Sequence, residues 1–268
     1  MKLSRLAGSL SAFALAATLA LTGAGAAQAS EQSATPAYVA LGDSYSSGLG
    51  AGSYYTNSGD CKRSSKSYPA LWAAAHAPAS FAFTACSGAR TGDVLSGQLG
   101  PLNRSTGLVS ISIGGNDAGF SDTMVTCVLN SDSACLNRIN QARTYVQNTL
   151  PGDLDKVYTA IQGRAPAAHV VVLGYPRFYK LGAVTCAGLS ETKRSAINSA
   201  ADLLNSVIAK RAADHGFSYG DAAAGFAGHE LCSGSPWLNS VTFPVDSSYH
   251  PTAAGQSGGY LPVFASAA

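Results

Sequence analysis

The sequence predicts one α/β domain built on a parallel sheet with helices over both faces. Short apolar runs recur at Tyr38–Leu41, Phe81–Ala85, Leu108–Ile113 and Val170–Leu173, each the length of a strand buried on both sides. Helical patterns separate these runs, and strands that alternate with helices are joined by crossovers that leave neighbours parallel. No internal repeat, linker or low-complexity segment marks a second domain; the glycine- and serine-rich stretches at 46–59 and 225–259 read as loops.

Along the chain, Met1-Lys2-Leu3-Ser4-Arg5 is followed by a small, apolar stretch from Leu6 to Ala26 and then Ala27-Gln28-Ala29. A charged n-region, an h-region and a small-residue cleavage site are the parts of a secretory signal, expected over residues 1–29, with the mature domain over 30–268. Serines, threonines and glycines dilute the apolar run, which argues against a stable membrane anchor. Removing the leader takes away Lys2 and Arg5 and no acid, so the formal charge falls from +2 to zero. About 239 residues are left, enough for one sizeable core. Only 12% of residues are charged and no block of like charge occurs, so nucleic acid is not an expected partner.

The helical stretches are Tyr68–His76, Ala134–Gln162 with a break at Pro151, and Leu189–His215, whose start carries Ser190 as a cap. In the last of these, Ile197, Ala201, Leu204, Val207 and Ile208 recur at helical spacing and read as core packing. A fifth strand is expected at Phe217–Gly220. Beyond it, Ala222–Tyr249 forms a long connection rich in Gly, Ser and Pro, and such connections in compact domains often carry function. Cys61, Cys86, Cys127, Cys135, Cys186 and Cys232 are an even set in a chain with a leader, for which three disulfides are the default and a metal site is not expected, since no close Cys-x-x-Cys or Cys/His pair occurs. Fifteen pairings are open; order and spacing suggest Cys61–Cys86, Cys127–Cys135 and Cys186–Cys232.

Four segments carry chemistry. The first apolar run stops at Gly42-Asp43-Ser44, leaving a serine at the carboxyl end of a strand, where open parallel sheets collect ligands; Asp43 reads as the cap of the following helix. The second run leaves through Gly88, which lets a backbone N–H approach a ligand with no Cβ in the way. The third leaves through Gly114-Gly115-Asn116-Asp117, presenting an amide that can donate to a developing oxyanion, while Asp117 reads as bonding its own loop. On the late connection lies Ser247-Ser248-Tyr249-His250-Pro251, with the proline expected at a helix N1 position and the histidine at the helix mouth. His76, His169, His215 and His229 stand in no such motif, and no carboxylate pair suited to glycoside hydrolysis is evident.

These segments, in this order and across the whole mature chain, resemble the four blocks of the SGNH, or GDSL, hydrolase family, and the sequence is similar to its secreted actinomycete lipases, esterases and phospholipases A1. The resemblance implies a flavodoxin-like three-layer α/β/α sandwich with a central five-stranded parallel sheet and three sequential disulfides. It implies Ser44 as nucleophile, His250 as base, and Gly88, Asn116 and the Ser44 amide as oxyanion donors. The family commonly has Asp-x-x-His-Pro, yet Ser247 stands at the aspartate's place and Asp246 one residue earlier. A one-residue shift on an extended segment turns a side chain away, so a Ser–His dyad steadied by the main-chain carbonyl of Ser248 or Ser247 is expected. The implied function is a secreted, monomeric hydrolase of lipid carboxylic esters with phospholipase A1 activity, needing no metal or cofactor. A carbohydrate acetyl esterase is the alternative enzyme, and a secreted binding module without turnover the alternative of another class. Leu49, Tyr54, Tyr55, Phe120, Trp237 and Phe243 are candidates to line an acyl groove.

Overall fold

Five parallel strands, β1 (Ala37–Gly42), β2 (Phe81–Phe83), β3 (Thr106–Ser112), β4 (His169–Leu173) and β5 (Ser218–Gly220), form one sheet in the order β2-β1-β3-β4-β5. The computed structural model describes residues 35–268; the expected leader at 1–29 lies outside the described residues. Helices follow as α1 (Ser44–Ser47), α2 (Tyr68–His76), the single turn α3 (Thr91–Asp93), α4 (Phe120–Leu129), α5 (Asp132–Asn148), α6 (Leu150–Arg164), α7 (Glu191–Asp214), α8 (Ala222–Gly225) and α9 (Leu261–Ala267). α2 packs with α9 on one face, and α5, α6 and α7 pack together on the other, giving three layers.

The expected strands form, with edges adjusted by local hydrogen bonding. β2 ends at Phe83 rather than Ala85 because the Thr84 and Ala85 N–H groups both turn onto the Ala40 carbonyl, at 2.9 and 3.1 Å. The expected break at Pro151 separates α5 from α6 at Thr149, with the proline in the first turn of α6, where its missing N–H leaves no helical bond unmade. Ser190 caps α7 by accepting from the Lys193 N–H. α4 was not evident in the sequence: Val125 and Leu129 on it are exposed, so it has no continuous apolar stripe. The disulfides pair as chain order suggests, Cys61–Cys86, Cys127–Cys135 and Cys186–Cys232.

The strand order fixes where a ligand can sit. From β1 the chain steps one way to β2, then crosses back to place β3 on the other side of β1. The loops leaving β1 and β3 therefore diverge and open a crevice between them. The two strands stay in register to their ends, Leu41 opposite Ile111 and Gly42 opposite Ser112. Gly42 has φ +120°, and a Cβ there would stand 2.4 Å from the Ser112 carbonyl oxygen, so no other residue fits. Gly42→Ala is expected to lower unfolding free energy by at least about 2 kcal/mol, read from urea melts, because neither the backbone angle nor the contact can relax alone.

Candidate active site

Ser44 opens α1 directly beyond β1 and is only 5% exposed. Asp43 is the N-cap of α1, accepting the Tyr45 N–H at 3.0 Å on Oδ1. The same oxygen accepts the Ser112 hydroxyl at 2.7 Å, and Oδ2 accepts the Tyr175 hydroxyl. Burial pushes the Asp43 carboxyl up to about 6, against the lowering by these donors. Tyr175, itself kept protonated by burial, in turn accepts the Gly115 N–H at 3.1 Å. One carboxylate thus ties the loop after β1 to those after β3 and β4.

His250 arrives from the connection after β5, and its Nε2 lies 2.8 Å from Ser44 Oγ. Its Nδ1 lies 3.0 Å from the Ser248 carbonyl. A carbonyl can only accept, so the ring proton sits on Nδ1 and the Nε2 lone pair faces the serine hydroxyl. The ring is 8% exposed, and burial holds its pKa down at about 4 despite the raising effects of the Ser248 carbonyl and Asp246. At neutral pH the pair is a hydroxyl beside an uncharged imidazole, which can take the hydroxyl proton during attack on a carbonyl. Of the two carbonyls considered for holding the ring, that of Ser247 accepts the His250 main-chain N–H at 3.3 Å instead. Asp246 is exposed, with its side chain toward the Ser247 hydroxyl. The expectation of a helix N1 position for Pro251 is corrected: the proline pairs with Leu238 in a short antiparallel bridge and helical turns begin at Ala253. What fixes the histidine is Asn239, whose main-chain N–H and side-chain amide both donate to the His250 carbonyl, at 2.9 and 3.0 Å.

The remaining donors come from the loops after β2 and β3. Gly88 has φ +79° in a turn closed by the Ala89 N–H onto the Cys86 carbonyl. Its own N–H meets no acceptor among the described residues, and the Ser44 N–H is one of the unpaired donors of a first helical turn. Asn116 Nδ2 donates to the Ala89 carbonyl at 3.0 Å, joining its loop to the one carrying Gly88 and leaving one amide hydrogen. The Cys61–Cys86 bond and the Ser87 N–H on the Cys61 carbonyl, 3.0 Å, hold the Gly88 turn from the other side. Asp117 reaches beyond its own loop: it accepts the Thr91 N–H and hydroxyl, adding a second tie between the two segments.

A cavity of about 70 Å³ begins at Ser44 and Asn116 and runs between α4, α5 and α7. Its walls are Phe120, Met124, Ile139, Val146, Ile197 and Leu204, with Phe178. Arg143 spans α5 to α7 at its side, donating to the Ser199 carbonyl and hydroxyl at 3.1 and 3.2 Å. Of the residues expected to line a groove, only Phe120 does. Leu49 is buried, Trp237 stacks on His229, Tyr54 and Tyr55 lie on the loop after α1, and Phe243 stands in solvent. The stripe of α7 packs in the core as expected, and three of its members, Ile197, Ala201 and Leu204, also border the cavity. Its apolar spacing was the available signal; only the facing helix shows that part of the stripe borders a void.

A sequence model of the GDSL-like lipase/acylhydrolase family matches residues 40–257. The chain is 69% identical to Lipase 1 of Streptomyces coelicolor over the full length of both. Among solved structures it is similar to an extracellular lipase from Streptomyces rimosus, 70% identical with a TM-score of 0.86, covering 87% of this chain and 100% of that one. A phospholipase A1 from Streptomyces albidoflavus NA297 is 66% identical with the same TM-score of 0.86, covering 88% and 100%.

The buried ring makes a pH prediction with a definite sign. Below 6.5 the unfolded chain binds a proton at His250 that the folded chain refuses until about 4, so acidification across this window draws stability out of the native state. His250→Gln is expected to lose less stability than the native chain between pH 6.5 and 4 in urea melts, and the His250 ring signals are expected to titrate near 4 by NMR.

Proposed function

The chain belongs to the GDSL-like lipase/acylhydrolase family, and from that membership we propose that it is a secreted carboxylic ester hydrolase acting on lipid esters, with phospholipase A1 activity, through an acyl-enzyme formed on Ser44. The observation that carries this reading is the 2.8 Å contact between Ser44 Oγ and the unprotonated nitrogen of a neutral, tethered imidazole at the mouth of an apolar cavity. Ser44 attacks the ester carbonyl as His250 takes its proton, and the negative charge that develops on the carbonyl oxygen is received by the N–H groups of Ser44 and Gly88 and the Asn116 amide. Collapse of the adduct breaks the ester C–O bond, and His250 returns the proton to the leaving alkoxide. Water then repeats the sequence on the acyl-enzyme, restoring the hydroxyl.

No carboxylate is assigned to this exchange. The Ser248 carbonyl keeps the proton on Nδ1 and the ring in plane, and the transient imidazolium has a nearby oxygen to face. The wall of Met124, Ile139, Val146, Ile197 and Leu204 suits the acyl chain of a lipid better than the acetyl group of a glycan. The leader expected at 1–29 and three disulfides favour an oxidising, extracellular setting, and the chain is taken to act as a monomer. No helix among the described residues is long and apolar enough to cross a membrane.

The reading is tested by labelling with an alkyl organophosphonate and by a series of p-nitrophenyl esters of rising chain length set beside phosphatidylcholine. Ser44 is expected to be modified, Ser44→Ala to be inert, and the released fatty acid to come from the sn-1 position; an unlabelled native chain would overturn the proposal. A contrasting pair separates the roles of two polar groups. Asn116→Ala is expected to lower kcat on the order of 10²–10³ with little change in KM, whereas Asp246→Asn keeps kcat within a few-fold; a loss of several orders of magnitude in the latter would make the carboxylate the third member of the site.

A further inference from the structure

The large apolar side chains that stand exposed among the described residues are confined to one end of the molecule. Each lies between the carboxyl end of a strand and the helix that returns the chain to the opposite end of the sheet: Tyr55 after β1, Val125 and Leu129 on α4 after β3, Val184 after β4, and Phe243 and Val245 after β5. Ser44, Gly88, Asn116 and His250 leave the same strand ends. Scattered apolar exposure is ordinary, but confinement to one rim is not. The β5 connection carries three such side chains, with Val241 58%, Phe243 95% and Val245 68% exposed.

The tip bearing Phe243 and Val245 is built to hold them out. Ser248 Oγ accepts the Thr242 N–H at 3.0 Å and closes the neck of the loop, and inside it the Ser247 and Ser248 N–H groups donate to the Pro244 and Val245 carbonyls at 3.0 and 3.1 Å. The same Ser248 offers its carbonyl to His250 Nδ1, so the neck of the apolar tip and the support of the imidazole are one residue. Residues 239–250 contain one acid, Asp246, and no lysine or arginine, which fits an uncharged or zwitterionic surface and gives no attraction to an anionic one.

We propose that this rim, led by Phe243 and Val245, is a docking surface that enters the headgroup–acyl boundary of aggregated zwitterionic or neutral glycerolipid and sets the Ser44 crevice against it. The inference rests on the lipid-ester reading for its occupant, and it adds a second binding step: adsorption to the aggregate first, then entry of one acyl chain into the cavity between α5 and α7. A tip that is hydrogen-bonded to itself loses little freedom on insertion, so burial of the two side chains goes directly into adsorption.

The test uses the full mature chain. In a Ser44→Ala background, so that vesicles are not consumed, the protein is expected to co-sediment with phosphatidylcholine vesicles. Adding Phe243→Ser and Val245→Ser is expected to reduce that partitioning by about tenfold or more, the loss anticipated from withdrawing large apolar side chains from a hydrocarbon boundary. In the active enzyme, the same two substitutions should leave kcat/KM for dissolved p-nitrophenyl butyrate within twofold while raising apparent KM on phosphatidylcholine vesicles about tenfold at unchanged kcat. Unchanged partitioning would overturn the proposal. So would a strong, salt-sensitive gain in binding on adding phosphatidylglycerol, or a native dimer in sedimentation velocity that the substitutions dissolve, which would make a second copy the occupant. Failure of the native chain to hydrolyse p-nitrophenyl butyrate would refute the hydrolase reading alone, since vesicle binding is measured without turnover.

Discussion

A single buried carboxylate holds the functional end of this protein together. Asp43 accepts a helix N–H, a hydroxyl from the end of β3 and a phenol from the loop after β4, and the phenol passes the connection on to the Gly115 N–H. Behind it the chain of bonds continues from Ser112 through Ser46 and Tyr68 to Ser110 and Tyr38, at 2.7 to 3.2 Å. Removing a charge from water is costly unless its lone pairs are filled, and here they are filled by a helix, a strand end and a loop. The upward shift of the Asp43 carboxyl to about 6 shows that burial still dominates. The cost is tolerated at the point where the geometry of Ser44 and of the Asn116 loop is decided.

The support of His250 follows another economy. A carboxylate behind the ring would be a second buried charge at this end of the sheet, costly unless its lone pairs were filled. A main-chain carbonyl fixes the same tautomer without a net charge. It also suits a ring whose burial holds the pKa near 4: the imidazole stays neutral above that value, with its free nitrogen aligned on the Ser44 hydroxyl and no standing counter-ion behind it. Asn239, holding the His250 carbonyl by two hydrogen bonds, supplies that alignment from the backbone side.

The disulfides tie together the segments that follow the strand ends. Cys61–Cys86 braces the turn of Gly88, Cys127–Cys135 joins α4 to α5 beside the cavity, and Cys186–Cys232 ties the connection after β4 to that after β5. Long irregular connections cost entropy to order, and cross-links lower that cost by restricting the unfolded chain. The sheet and its helical layers are held by buried apolar side chains; the rim around Ser44 depends on covalent ties and polar networks.

Much of this architecture was written locally. Strand runs, the helix Tyr68–His76, the Ser190 cap, the break at Pro151 and the order of the cysteines each depend on residues close in sequence, and so do the Gly-Asp-Ser, Gly-Gly-Asn and His-Pro segments that raise the hydrolase expectation. What the fold alone decided are relations between distant residues. The Asp43–Tyr175 bond spans 132 positions and leaves no periodic trace. Ile197, Ala201 and Leu204 carry the same apolar stripe whether they meet a packed neighbour or a void, and α5 decides which. The choice of the Ser248 carbonyl over Ser247 or Asp246 depends on how the loop after Thr242 closes on itself. Sequence specifies hydrophobic periodicity and turn chemistry because these act over a few bonds; cavities, shared acceptors and the side on which a loop closes come from the meeting of surfaces that only the folded chain brings together.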